Sequence, residues 1–398
     1  MYIDEKLRTE VIGDYDVVVC GGGIAGISAA LASARQGKHT LLIERQFMLG
    51  GLATAGLITI YLPLCDGMGH QVSFGIAEEL FKLSISNGAE GRVPENWLSE
   101  NGSRTEKDGR FEVRYNAQMF AILAEKLLTD EGVDIMYGTY VVAVDSYQNK
   151  ITHVIVENKS GRQAYSVKSV VDATGDCDIA HMSGAPTEIF KQGNVLAGWY
   201  YSVGDDGYKL NQVGCSDIPD EMKNGKNGAK PLIDRRFTGL DGKEISEFVC
   251  LSHNATYDHF MKKYGGDISA FPVTVSTVPQ LRMTRRIRGE YELATDEMHK
   301  YFEDSIGMVS DWRRRGPVYE VPFRTLYSGA VKNLITAGRC TSVTEGLWDV
   351  MRVIPCCAVT GQAAGIAAAI SDDFTTLNVN KLQNLLRDNG VVLHEKDL

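Results

Sequence analysis

The sequence contains no CxxC pair. Its eight cysteines are scattered (Cys20, Cys65, Cys177, Cys215, Cys250, Cys340) apart from adjacent Cys356 and Cys357. That pattern gives no support to a structural zinc site, a thioredoxin-like motif or an iron–sulfur cluster. Nor are eight cysteines in 398 residues a disulfide scaffold. The thiols read as reduced and mostly buried, as in a cytoplasmic protein. An excess of positive charge is also missing. The formal net charge is -10, which argues against broad binding to nucleic acid or to an anionic membrane. No apolar run approaches the length of a membrane helix, and the charged N-terminus MYIDEKLRTEVIGDYD has no apolar core before a cleavage site, so neither a membrane span nor a secretory signal is expected. There is no solenoid-type repeat. What is present is the balance of a folded globular protein, 44% hydrophobic and 23% charged, long enough for two domains that share a core.

Residues 15–20, YDVVVC, are a short apolar run rich in β-branched residues. A glycine turn follows, then small and apolar residues at helical spacing from Ile24 to Gln36, closed by Gly37. A second apolar run, His39–Ile43, ends at Glu44. Periodicity and turn residues thus predict strand, helix, strand. The spacing Gly21-x-Gly23-x-x-Gly26 falls between the first strand and the helix. One glycine makes the tight turn, the next admits a pyrophosphate close to the backbone, and the third lets helix and strand pack closely. The helix N-terminus offers N–H donors and partial positive charge to the phosphates. Gly21, Gly23, Ile24, Ala25 and Gly26 are therefore candidates for holding a dinucleotide, and Glu44 for accepting from its ribose hydroxyls.

Further along, helices are expected at 75–86 and 117–131, with strands near 133–137, 140–145, 151–157 and 164–171. The first of these strands returns to the first sheet, and the others resemble a β-meander. Residues from about 70 to 113, and again from about 186 to 330, are richer in loops, with GDDG, KNGKNG and GLDGKE turns. A late strand is expected at Asn333–Ala337, ended by Gly338, and a long Ala/Gly-rich helix after Pro355, a residue suited to a first helical turn. The layout predicts an α/β fold. A Rossmann-like domain is assembled from 1–66, 115–185 and 329–398, and an α+β substrate domain from 67–114 and 186–328. The ligand site is expected at the strand ends, where the two meet.

Three later segments narrow the dinucleotide. Arg45 and Gly50–Gly51–Leu52–Ala53–Thr54 resemble the second glycine motif of glutathione-reductase-type flavoproteins. VVDATGD, residues 170–176, resembles the apolar run plus ATG of the same group, and NLITAGR, residues 333–339, resembles their late strand. With LRMTRRIRGEYEL and VTGQAAGIAAA added, the matching segments span nearly the whole chain. The sequence is similar to the FAD-dependent oxidoreductases related to fumarate reductase flavoproteins and to the flavoprotein subunit of heterodisulfide reductase. The resemblance implies FAD and a glutathione-reductase-type fold with a ββα sandwich and β-meander. It further implies cofactor contacts from Val141, from Thr174, Gly175 and Asp176, from Gly338 and Arg339, and from Gly361, Gln362 and Ala363. It implies no substrate. Gly338–Arg339 departs from the Gly-Asp of many flavoprotein hydroxylases, and Arg282–Met283 stands where Arg-Glu is the group's pattern. The His and Arg motifs of fumarate reduction are not recognisable. Aromatic hydroxylation and fumarate reduction are both in question.

Flavin chemistry asks the protein for orientation, electrostatics and exclusion of water. The expected reaction moves a hydride between a small-molecule substrate and flavin N5, with an external electron donor or acceptor. No second GxGxxG of comparable quality follows a strand, so no separate nicotinamide domain is expected. An electron-transfer subunit and a non-catalytic FAD-binding protein are the competing readings; oligomer formation is left open. The helix beginning near Cys356 either aims its N-terminus at the flavin or packs as a plain buried helix. The cluster Arg282, Arg285, Arg286 and Arg288 either anchors an anionic substrate or forms a solvated face paired with Glu290 and Glu292. Arg352, in an apolar segment, must find Asp349, the flavin or the substrate if it is buried. His70 is a candidate acid or base that is otherwise structural. Arg282, Arg352 and His70 are thus the catalytic candidates, with Tyr115 and Tyr327 weaker ones. A Cys356–Cys357 dithiol is disfavoured because adjacent cysteines make a strained bridge.

Overall fold

The computed structural model describes residues 3–87, 89–90, 112–214 and 231–398. Cys215, the KNGKNG turn and most of the loop stretch before residue 113 lie outside the described residues.

The chain opens with β1 (Glu10–Cys20), α1 (Ile24–Arg35) and β2 (Thr40–Ile43). β1 and β2 run parallel, with Val17 opposite Thr40 and Cys20 opposite Ile43, and Val17–Cys20 are wholly buried. Continuous burial of a β-branched run is what a parallel strand covered on both faces requires. β3 (Ile60–Tyr61), β4 (Ala89–Glu90) and β5 (Val113–Tyr115) form a small antiparallel sheet, with α2 (Ile76–Ile85) between β3 and β4 in the chain. α3 (Ala117–Asp130) starts at Asn116, whose side-chain oxygen accepts from the Met119 amide, a cap worth about 1 kcal/mol.

β6 (Asp134–Met136) returns to the first sheet beside β2, as expected. β7 (Tyr140–Tyr147), β8 (Lys150–Asn158) and β9 (Gly161–Asp172) form the expected meander. The meander is not separate from the parallel sheet. β9 lies parallel to β1 from Gln163 to Asp172. Its opposite edge pairs first with β8, through Ser166, and then with the late strand β17 (Leu334–Thr336) at Val170–Asp172. One seven-stranded sheet results, drawn from early, middle and late parts of the chain.

After α4 (Asp178–Met182), β10 (Thr187–Ile189) pairs with β14 (Arg285–Ile287). Between them in sequence, β11 (Ala197–Gly204) and β12 (Gly207–Gly214) form a hairpin at the GDDG turn, where Gly207 has φ +80. β13 (Phe271–Val275) pairs along the other edge of β11. α5 (Gly242–Tyr264) packs on this sheet and is capped by Asp241 of the GLDGKE turn. The loop-rich reading of this region missed α5. β15 (Ser305–Ser310) and β16 (Val318–Pro322) make a further hairpin, and α6 (Glu345–Met351), α7 (Ile354–Ile370) and α8 (Val379–Asp388) close the fold.

α1 and α7 form the central helix pair, and α7 is buried from Ile354 to Ala369. Gly361 and Gly365 lie one turn apart on α7. A Cβ at these positions would stand 2.3 Å from the Ala25 oxygen and 2.2 Å from the Ala29 oxygen of α1. The two helices therefore touch backbone to backbone, which only glycine permits. The architecture is mixed α/β with a Rossmann-like parallel core and an inserted α+β portion. Among the described residues, no single helix is long and apolar enough to cross a membrane.

Candidate cofactor and active site

A cavity of about 420 Å³ opens where β1, β2 and β9 end. Its floor is the first glycine run. Gly21 has φ +103, and a Cβ there would lie 2.5 Å from the Ala173 oxygen. A Cβ on Gly26 would meet the Gly21 oxygen at 1.8 Å, so Gly26 is the helix–strand packing glycine and does not line the cavity. A Cβ on Gly23 would meet nothing within 4 Å, leaving space at the N-terminus of α1. Ile24 and Ala25 line the same floor. Glu44 is buried. Its Oε2 accepts from the Gly22 amide (2.6 Å) and its Oε1 from the Gln46 amide (2.7 Å). Each oxygen keeps a further lone pair for a hydroxyl donor.

The second glycine motif forms the next wall. Gly50 (φ +100) and Gly51 (φ +55) line the cavity with Arg45, Leu52 and Ala53. Thr54 does not; its hydroxyl donates to the Leu49 oxygen at 2.5 Å and braces the turn from behind. On the meander side Val141 lines the cavity beside Thr139 and Tyr140.

The ATG segment contributes Thr174 and Gly175. Arg339 lies across Gly175 (φ +80), where a Cβ would collide with its guanidinium, and it donates to the Leu281 oxygen at 2.7 Å. Asp176 stands outside the lining and accepts from Thr284 Oγ1 (2.7 Å) and from Arg339 (3.4 Å). Gly338 is a turn residue (φ +68) whose amide donates to Thr360 Oγ1, again outside the lining. Beneath the segment Asp172 is fully buried, accepting from Thr174 N and Oγ1 through Oδ1 and from Ala180 N through Oδ2. Burial pushes its pKa up to about 6 against these hydrogen bonds.

α7 meets the cavity with its first turn. Gly361, Gln362 and Ala363 do not reach the cavity. Gly361 is spent on α1, and Gln362 Oε1 accepts from the Ile76 amide at 2.9 Å. The start of the helix lines the cavity instead, through Arg352, Val353, Ile354 and Cys357. Burial raises the Cys357 thiol to about 12, so it stays protonated, and it donates to the Arg352 oxygen.

The arginine cluster divides. Arg282 is buried and lines the cavity, its guanidinium 5.2 Å from the Trp199 ring centre and bonded to Gln280 Oε1 (2.8 Å). Arg285 pairs with Asp178, and Arg286, itself buried, pairs with Glu292. Only Arg288 of the four is well exposed, beside Glu188, while Glu290 accepts from the Gly329 amide. His70 is not brought to the site. Its side chain is 59% exposed, held by Asp66 at 3.0 Å, and outside the lining. Tyr115 and Tyr327 also fall outside it; Tyr115 donates to the Ala53 oxygen from behind the wall.

Sequence reasoning missed several lining residues. Trp199 and Gln212 are direct cross-strand partners on β11 and β12, and Trp312 stands on the loop after β15. They carry no motif. The scarcity of tryptophan, four in the chain, was the available signal. No group of three His, Cys, Asp or Glu side chains able to hold a metal occurs among the described residues.

These features fit FAD. A glycine cradle left open at a helix start, a carboxylate with free lone pairs and a cationic wall suit a dinucleotide pyrophosphate, a ribose and an anionic ring.

The chain is 24% identical over 266 residues to the tRNA uridine 5-carboxymethylaminomethyl modification enzyme MnmG 1 of Fusobacterium nucleatum, covering 63% of this chain and 38% of that enzyme. It is 31% identical over 72 residues to the thioredoxin reductase of Ureaplasma parvum, covering 18% and 23%. The chain thus spans well under half the length of these curated relatives. A solved geranylgeranyl bacteriochlorophyll reductase-like protein from Thermoplasma acidophilum aligns with 95% of this chain and 82% of its own, at TM-score 0.45 and 11% identity. Residues 16–195 and 239–386, most of the chain, match the family described as FAD dependent oxidoreductase, and the chain belongs to that family, an oxidoreductase with FAD as its cofactor.

Proposed function

We propose that this enzyme transfers a hydride between a small anionic substrate and N5 of its flavin. The ADP half of the cofactor rests on Gly21–Gly26 and Glu44. The substrate sits toward Arg282 and Arg352, where the inserted segments 67–114 and 186–328 cover a dinucleotide domain built from 1–66, 115–185 and 329–398. FAD supplies the redox step when bound; the chain supplies binding, orientation and a dry site. The α1 N-terminus and the open face of Gly23 receive the pyrophosphate, Glu44 takes the ribose, and Arg339 adds a fixed positive charge.

The observation that carries the substrate reading is Arg282. A buried guanidinium, stacked over Trp199 and steered by Gln280, faces the same cavity as the glycine run. Arginine stays charged when buried and grips carboxylates through a planar fork. Trp199, Val278 and Ile60 give that wall an apolar surface that favours exclusion of water. The net charge of -10 supports a small molecule over a nucleic acid as substrate. The free thiols of Cys20, Cys177, Cys250, Cys340, Cys356 and Cys357 support a reducing, cytoplasmic setting.

The test is anaerobic reduction of the bound flavin by a panel of hydroxy acids, amines, sugars and thiols. We expect a carboxylate-bearing compound to bleach the flavin band and Arg282→Ala to raise its KM by tenfold or more. Reduction by a neutral compound with equal KM in the variant would overturn the anionic-substrate reading.

A further inference from the structure

α6 and α7 meet at a bend of 88°. Arg352 ends the first helix and lines the cavity where the second begins, its side chain 9% exposed. It donates through one terminal nitrogen to Asp349 Oδ1, and Asp349 has no exposed surface at all. Two buried atoms of this pair have no hydrogen-bond partner, Arg352 Nε and Asp349 Oδ2. The main-chain oxygen of Asp349 accepts from Trp312 Nε1 at 3.0 Å, and Trp312 also lines the cavity. Asp349 itself does not. It therefore holds two cavity-lining side chains from behind the wall.

The main-chain bond to Trp312 would survive almost any residue at 349. The carboxylate must do something a neutral side chain does not, because burying a charge is unfavourable even when it is paired. Its specific effect is electrostatic. The N-terminus of α7 already presents partial positive charge to the cavity, and Arg352 adds a full one at the same place. Left uncompensated, the two would favour an anionic reduced cofactor strongly. A carboxylate bonded directly to Arg352 offsets that charge while fixing the direction of the guanidinium. We infer that Asp349 is a positioning residue that sets how strongly the cavity favours the reduced flavin, by orienting Arg352 and offsetting its charge. The inference rests on the FAD site and not on the identity of the substrate.

The experiment is a dye-equilibrated reductive titration of the FAD-loaded protein without substrate, so failure of the anionic-substrate reading leaves it untouched. Thermal melts and FAD stoichiometry establish that each variant is folded and loaded. Asp349→Asn should raise the midpoint potential, stabilising the reduced flavin by at least tenfold relative to the oxidised, or about 30 mV for a two-electron couple. Arg352→Gln should lower it by a similar factor, and the charge-balanced double variant should return close to wild type. A purely structural role would leave both single variants unchanged or move them in the same direction, and either result overturns the inference. A double variant displaced as far as either single one does so too. If Asp349→Asn does not fold, the comparison of Arg352→Lys with Arg352→Gln decides. Lysine should hold the potential near wild type and glutamine should lower it; equal potentials for glutamine and wild type overturn the proposal.

Discussion

Asp172 shows how a residue can be legible as a motif and illegible as chemistry. VVDATGD marks it in the sequence, yet nothing there says that Ala180 and Thr174 close over it or that it will be buried completely. The sign of the consequence follows from linkage. Its folded pKa, about 6, lies above the ordinary carboxylate value of 3.8. Below about pH 4 both folded and unfolded chains hold the proton, and the residue contributes no pH dependence. From about 4 to about 6 the unfolded chain releases it first, so stability falls as pH rises, by roughly 3 kcal/mol in all, and then levels off. Asp172→Asn sets a donor against the Ala180 amide and should be less stable by about 1–3 kcal/mol where both side chains are neutral. From pH 4 to 7 the gap between variant and wild type should close or change sign. Urea unfolding at several pH values checks this, and a constant gap would show that Asp172 ionises normally. His70 is the opposite case. Its residue type suggested an acid or base, but a partner four residues earlier, Asp66, holds it at the surface.

At the scale of the element, the strands and helices were largely readable because their signals are local. Periodicity marked α1, α2 and α3 close to their ends, and Pro355 marked the start of α7. The part of α7 that meets the cavity was not readable. GQAAG looks like a cofactor motif, yet Gly361 and Gly365 are consumed by contact with α1, and the cavity falls to the first turn. A small-residue stripe says that something approaches closely, not whether it is a ligand or another backbone. Gly365→Val is the direct test. Its side chain would enter the space of the Ala29 backbone and force the helices apart. We expect a loss of about 3 kcal/mol or more, above the usual overpacking range because backbone yields less than side chains. Thermal denaturation of the apoprotein checks this. A loss under about 1 kcal/mol would mean that α1 and α7 are not in backbone contact.

At the scale of the whole molecule, the sequence order disclosed a discontinuous sheet because β1, β9 and β17 each carry a recognisable motif. The inserted region was read only as texture, so α5 and the strand pair bearing Trp199 and Gln212 escaped notice. Pairing between distant strands depends on three-dimensional register, which no local signal contains. The cavity draws on residues from Cys20 to Cys357, so its occupant should brace the molecule as a unit. Free FAD at 100 times its Kd should add about 2.7 kcal/mol to stability, and the melting temperature should rise with FAD concentration. Glu44→Ala should remove most of that rise by weakening the hold on the ribose, and it should also lower the apoprotein's own melting temperature, because the Gly22 and Gln46 amides lose their acceptor. An equal FAD-induced rise in the variant would place the ribose elsewhere.

The divided edge of β9 has a consequence for synthesis. Val170–Asp172 pair on one side with β1, which precedes them, and on the other with β17, which begins at Leu334. While the intervening residues are being made, the emerging chain carries a short apolar strand end that lacks its second neighbour. Open strand edges are where nascent proteins associate wrongly. Maturation of this enzyme should therefore be most sensitive to chaperone supply in the interval between the appearance of β9 and the arrival of β17, and chains truncated before residue 334 should be the ones that accumulate as aggregates.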